Sequence, residues 1–117
     1  MRVIGLGLSA AACSCMVEAA LAAAGPADLL AILAMRAGHP ALADLPLPVR
    51  WLPSSLLAGV TTPTQSARIL LRFGCGSVAE AAALLASRGR LLLPRHTLGA
   101  VTWALAEGPG PSEGSNG

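Results

Sequence analysis

The chain has 117 residues, a formal net charge of +2, 54% hydrophobic residues and only 12% charged ones. That is one domain with enough apolar material for a core, and the sparse charge leaves apolar surface for a partner or a homodimer. All eight basic residues are arginines; they do not cluster, and only Trp51, Phe73 and Trp103 are aromatic, which argues against nucleic acid as a partner.

Residues 2–6 predict a strand, followed by a glycine turn and an Ala-rich helix over about 10–24 that Gly25-Pro26 ends. The apolar run 28–35 fits a buried parallel strand better than a short helix. A short helical segment at 39–44 precedes "PVRWLP" (48–53), a strand between prolines. In "TTPTQSARILLRFG", Thr62 stands as helix N-cap, Pro63 as first helical residue and Gln65 as third, a capping box, with Gly74 as the stop. Arg68 and Arg72 share one face of that helix. "SVAEAAALLASRG" repeats the logic: Ser77 caps, Glu80 reaches back, Gly89 stops, and Val78, Ala81, Ala82 and Leu85 form the buried face. Residues 90–94 and 100–106 then predict a β-hairpin turning near 95–99, with Val101, Trp103 and Leu105 alternating. The domain spans 1–106, and the tail 107–117 is too polar and glycine-rich to pack.

Several motifs compete at the N-terminus. An arginine, an apolar run and "ALAAAG" resemble a secretion signal, but Gly5, Gly7, Ser9, Ser14 and Glu18 dilute it. Gly5-Leu6-Gly7-Leu8-Ser9-Ala10 fits the dinucleotide fingerprint G-x-G-x-x-A, though the next strand ends in Met35-Arg36 where an acid should hold the ribose. Ser9 sits where a nucleophile elbow would place its serine, but the final glycine of that motif is missing, and helix capping is the simpler role. Thr61, Thr62, Thr64 and Ser66 gather hydroxyls at a helix start, a pattern that serves either capping or an anion. Cys13 and Cys15, two apart on a helix, would point to opposite faces, and with His39 and His96 unrelated in spacing no metal site is expected. An odd cysteine count without a framework fits a reduced, cytoplasmic protein. No segment after the N-terminus supplies the roughly 18 uncharged apolar residues of a membrane span.

Taken in order, "VIGLGLSA", "LLAILAMRAGHPAL", "LPVRWLPSSLL", "TTPTQSARILLRFGCGSVAEAAALLAS" and "RLLLPRHTLGAVTWALA" resemble the cobalamin biosynthesis protein CobE and the C-terminal domain of CbiG. The resemblance covers about 3–106, and the late block is its most specific part. It departs at the first turn, where Leu8-Ser9-Ala10-Ala11 stands in place of the family's cysteine or aromatic residue and arginines. After the second strand, Ala34-Met35-Arg36 keeps only the basic position of an acid-x-lysine pair. The resemblance implies a three-layer α/β/α domain with a mostly parallel sheet and an antiparallel edge hairpin. It implies an accessory role in building the corrin ring: binding or handing on a corrinoid intermediate, with other enzymes of the pathway as further partners. The alternative it implies is hydrolysis of a corrinoid lactone with release of acetaldehyde. The N-terminal part of CbiG has no counterpart here, so a self-sufficient hydrolase is not expected, and no catalytic residue or cofactor is assigned. A small dinucleotide-binding domain is the more remote alternative. Motif position and carry-over together give a ligand set of Gly5, Gly7, Ser9, Arg36, Thr61, Thr62, Thr64 and Ser66.

Overall fold

The computed structural model describes residues 1–110. Its core is a five-stranded sheet in the order β3-β2-β1-β5-β4, built from β1 (Arg2–Leu8), β2 (Leu29–Leu33), β3 (Val49–Leu52), β4 (Arg90–Leu98) and β5 (Val101–Glu107). β1, β2 and β3 are mutually parallel; β5 runs against β1, and β4 against β5, so β5 alone opposes the other four. Two helices cover opposite faces. α1 (Ser14–Ala24) lies on the side where Ile4, Leu6, Leu30, Ile32, Val101, Trp103 and Leu105 point. α3 (Val78–Ser87) lies on the other, over Val3 and Ala31, with Ala82 and Ala86 turned inward. α2 (Ala67–Phe73) precedes α3 and leaves Leu71 90% exposed. The result is the expected α/β/α arrangement with the hairpin at one edge. Strands covered on both faces are apolar at successive positions, as β2 shows with five buried residues in a row.

The first strand is longer than its sequence pattern. β1 continues to Leu8 because β5 pairs with it residue for residue, up to Leu8↔Val101. Gly5 and Gly7 are therefore inside the central strand, not in a turn. A Cβ on Gly5 would lie 2.0 Å from the Ala79 carbonyl oxygen, so glycine is what lets α3 press onto the sheet. The turn proper is 9–13, closed by the Ala12 N–H on the Ser9 carbonyl, and α1 starts at Ser14 rather than near 10. Cys13 consequently has extended backbone (φ −122°, ψ 164°) instead of helical. Its Sγ meets that of Cys15 at 2.6 Å, so the two thiols do not face apart.

The segment before α2 also differs. Thr62 does not cap a helix; Ser66 does, and the helix begins four residues later than the capping-box pattern suggests. The Thr62 hydroxyl donates to the Thr64 carbonyl, and the Gln65 amide donates to the Thr62 carbonyl. The Thr64 N–H is taken by a carboxylate from α3, which keeps Pro63 and Thr64 out of helical geometry. That carboxylate is Glu80, and it does not reach back to its own helix start as expected. Ser77 does cap α3, accepting from the Glu80 N–H at 3.3 Å.

The hairpin turns later than the sequence suggests. β4 runs to Leu98, and the loop is Gly99-Ala100, with Gly99 at φ 60°. His96 thus lies in a strand, stacked on Trp103 with ring centroids 4.5 Å apart. Part of the tail is ordered: Glu107 completes β5, Gly108 bonds Met1, and the Gly110 N–H donates to the Ser87 carbonyl. The rest of the expected disordered tail, 111–117, lies outside the described residues. No single helix among the described residues is long and apolar enough to cross a membrane.

Candidate functional site

An open cleft of about 510 Å³ lies at the carboxyl ends of β1 and β2. Its floor is Leu6, Gly7 and Leu8 of β1 with Leu33 of β2. One wall is α2, presenting Arg68, Ile69, Arg72 and Phe73; the other is the β4–β5 hairpin, presenting Arg95, Thr97 and Thr102. Ser9 and Arg36 close the rim below. In open α/β sheets this end of the strands is where ligands settle, because consecutive connections leave to opposite faces and open a crevice.

Its charge is one-sided. Four of the chain's eight arginines line the cleft, and no aspartate or glutamate does. Among the described residues the only ion pair joins Arg2 to Glu107, at 3.8 Å and far from the cleft. The guanidinium groups of Arg36, Arg68, Arg72 and Arg95 are thus available to an anion, and each offers a planar fork of donors suited to a carboxylate. Between them are apolar side chains: Ile69, Phe73, Val78 and Leu33. The chemistry on offer is recognition of an apolar body carrying several acidic groups. No histidine, cysteine, aspartate or glutamate among the described residues lines the cleft.

Arg68 and Arg72 face the cleft because they are four apart on α2, which is held by the Ser66 cap and ended at Gly74. Arg95 is aimed by an irregularity: the β4–β5 register shifts between Leu91 and Leu93 and again between Leu93 and His96. Such bulges redirect side chains at sheet edges, and Pro94 is tolerated there because β4 is an edge strand.

Both walls are tied to one buried group. Glu80 has no exposed surface. One carboxylate oxygen accepts from the Thr64 N–H at 2.9 Å; the other accepts from the Thr64 hydroxyl and the Arg95 N–H, both at 2.8 Å. The segment leading into α2 and the strand carrying Arg95 are thereby fixed to the first turn of α3. His39 does the same for the rim: its Nδ1 accepts from Ala41 N–H at 3.0 Å, which leaves Nε2–H to donate to the Ser9 carbonyl at 3.1 Å.

Of the ligand set drawn from the sequence, Gly7, Ser9, Arg36 and Ser66 come together on the cleft. Gly5 is buried beneath α3, Thr62 is 3% exposed with its hydroxyl engaged inside the loop, Thr64 is held by Glu80, and Thr61 is exposed away from the lining. Arg68, Arg72, Arg95 and Thr97 were not in that set. The spacing of Arg68 and Arg72 signals a shared face; Arg95 has no such signal, since a bulge aims it.

The fold and the cleft define an open α/β domain with an arginine-lined crevice at the ends of its parallel strands. The family model described as cobalamin synthesis G C-terminus matches residues 3–106, and the chain belongs to that family. Its role therefore lies in cobalamin biosynthesis. The chain is similar to the crystal structure of CobE, a protein from the cobalamin (vitamin B12) biosynthetic pathway, at 28% identity and TM-score 0.73, covering 91% of this chain and 92% of that one. It is also similar to cobalamin biosynthesis protein chiG from Agrobacterium tumefaciens, at 30% identity and TM-score 0.69, covering 93% and 99%. No curated protein matches the chain in sequence.

Proposed function

We propose that the cleft binds a corrinoid intermediate by its carboxylate side chains and holds or hands it on without converting it. The observation that carries this reading is the set of four arginines around an apolar floor with no acidic residue among them. A corrinoid acid is an apolar macrocycle rimmed by carboxylates, so it complements both features. The volume of about 510 Å³ is ordinary for a ligand pocket, and its open form admits one edge of a macrocycle while the rest projects, as a carrier that must release its cargo requires. In this reading Arg68 and Arg72 grip one pair of acidic groups and Arg95 and Arg36 another, with Ser9 and Ser66 as hydroxyl donors. Thr62 and Thr64 support the wall from behind. The site works in the cytoplasm, in keeping with an odd cysteine count and no disulfide framework.

Hydrolysis of a corrinoid lactone would need a group to activate water, and the cleft lining has none. Titrating the full chain with a corrinoid polycarboxylic acid while recording its visible spectrum separates the two readings. Saturable spectral change with no acetaldehyde from a lactone-bearing corrinoid supports binding; acetaldehyde released in proportion to protein overturns it.

A further inference from the structure

The start of α1 carries a pair of sulfurs that neither the sheet nor the cleft uses. Cys13 precedes the helix in extended backbone and Cys15 is in its first turn. The bend between them places the two Sγ atoms 2.6 Å apart. Cys15 is exposed and Cys13 half-buried, so both are open to reagents. Two Cα–Cα steps of about 3.8 Å bring residues two apart within the range a disulfide spans when the chain bends between them. We propose that Cys13 and Cys15 form a reversible thiol–disulfide exchange site for small-molecule disulfides.

The environment assigns the roles. The Cys15 thiol beside it, and then the Met16 backbone N–H, hold the Cys13 thiol below its ordinary range. Cys15 is pushed the other way, chiefly by the same contact with Cys13. The thiolate is the attacking form. Cys13 is also the N-cap residue of α1, beside the free N–H groups of the helix start that favour a thiolate, so Cys13 attacks and Cys15 resolves. The Cys13 thiolate bonds to one sulfur of a disulfide R–S–S–R; the S–S bond breaks, and RS⁻ leaves with the electron pair. Cys15 gives its proton to that leaving thiolate and attacks the Cys13 sulfur, expelling the second RS⁻, which takes up the proton lost from Cys13. Two protein thiols and one small disulfide thus become one protein disulfide and two small thiols, and excess thiol reverses the exchange. Cys75 stands apart: it is buried, its thiol lies 3.7 Å from the Ser77 carbonyl, and burial raises it.

The test treats the native full chain with glutathione disulfide, quenches in acid and reads intact mass and peptide maps. The expected result is loss of two hydrogens from the peptide carrying residues 13–15, restored by excess reduced glutathione, with Cys75 untouched. Cys15→Ser should accumulate a single glutathione adduct on Cys13, and Cys13→Ser should form its adduct on Cys15 at least about threefold more slowly. Stable adducts on both cysteines of the wild type without loss of two hydrogens, equal rates in the two variants, or no reaction would each overturn the proposal. Cys15 is exposed and Cys13 only half-buried, and serine is close in size to cysteine, so loss of folding does not obscure the readout.

Discussion

Replacing Glu80 by glutamine keeps the shape of the side chain and removes one acceptor. Glu80 receives three hydrogen bonds, two of them from the backbone N–H groups of Thr64 and Arg95, in a site with no exposed surface. An amide turned one way strands the Thr64 N–H; turned the other way it strands the Arg95 N–H. Each orientation loses one charge-assisted bond and leaves a buried donor unsatisfied, which costs about 2–3 kcal/mol. At this size a loss of 1 kcal/mol lowers Tm by about 4 °C or more, so the drop is about 10 °C. Urea denaturation should show a lower midpoint with an unchanged slope. Glu80→Ala strands all three donors and should cost more. Thr64→Val should cost about 1 kcal/mol alone and less when added to Glu80→Gln, because the two changes share one bond. A Glu80→Gln variant within about 0.5 kcal/mol of wild type would refute the claim that this carboxylate holds the walls together.

Other substitutions probe separate parts of the account. Gly5→Ala forces a Cβ onto the Ala79 carbonyl at 2.0 Å, so α3 must lift from the sheet at a cost of about 3 kcal/mol, read by urea unfolding; an unchanged midpoint would show that the helix is not pressed onto β1. Ser77→Ala removes the cap of α3, whose hydroxyl accepts from the Glu80 N–H, and should cost about 1 kcal/mol in the same assay. Arg2→Ala breaks a half-exposed ion pair and should shift stability by less than about 0.5 kcal/mol.

The positions of most strands and helices were legible in the apolar runs and turn residues, and the layering came from the family resemblance. "DLLAILAM" read as a buried strand and "AVTWALA" as one arm of a hairpin, and the structure pairs both with β1. Helix boundaries were not legible where tertiary contacts competed with local chemistry. Thr62-Pro63-Thr64-Gln65 has every mark of a capping box, yet Glu80, sixteen residues on, takes the Thr64 N–H and delays the helix to Ser66. Cys13 and Cys15 were misplaced for the same reason: β1 took two more residues to pair with β5, and the helix start moved to Ser14. The cleft followed this pattern. Gly7, Ser9 and Arg36, singled out by motif position near the ends of β1 and β2, do line the cleft. Arg95 was invisible because a register shift in β4, which no local pattern encodes, turns it toward the site.

If the arginines of the cleft bind the acidic groups of a corrinoid, Arg68→Gln/Arg72→Gln must lower the affinity for them. Both side chains are exposed and only the Arg72 contact over the Phe73 ring is lost, so Tm should fall by no more than about 4 °C. The variant should bind a corrinoid polycarboxylic acid about tenfold more weakly than wild type, a loss of about 1.4 kcal/mol, and the gap should narrow as salt screens the charges. The corresponding fully amidated corrinoid should bind weakly and equally to both. Equal affinity of the variant and wild type for the acid, or an amidated corrinoid bound as tightly as the acid, would contradict the account.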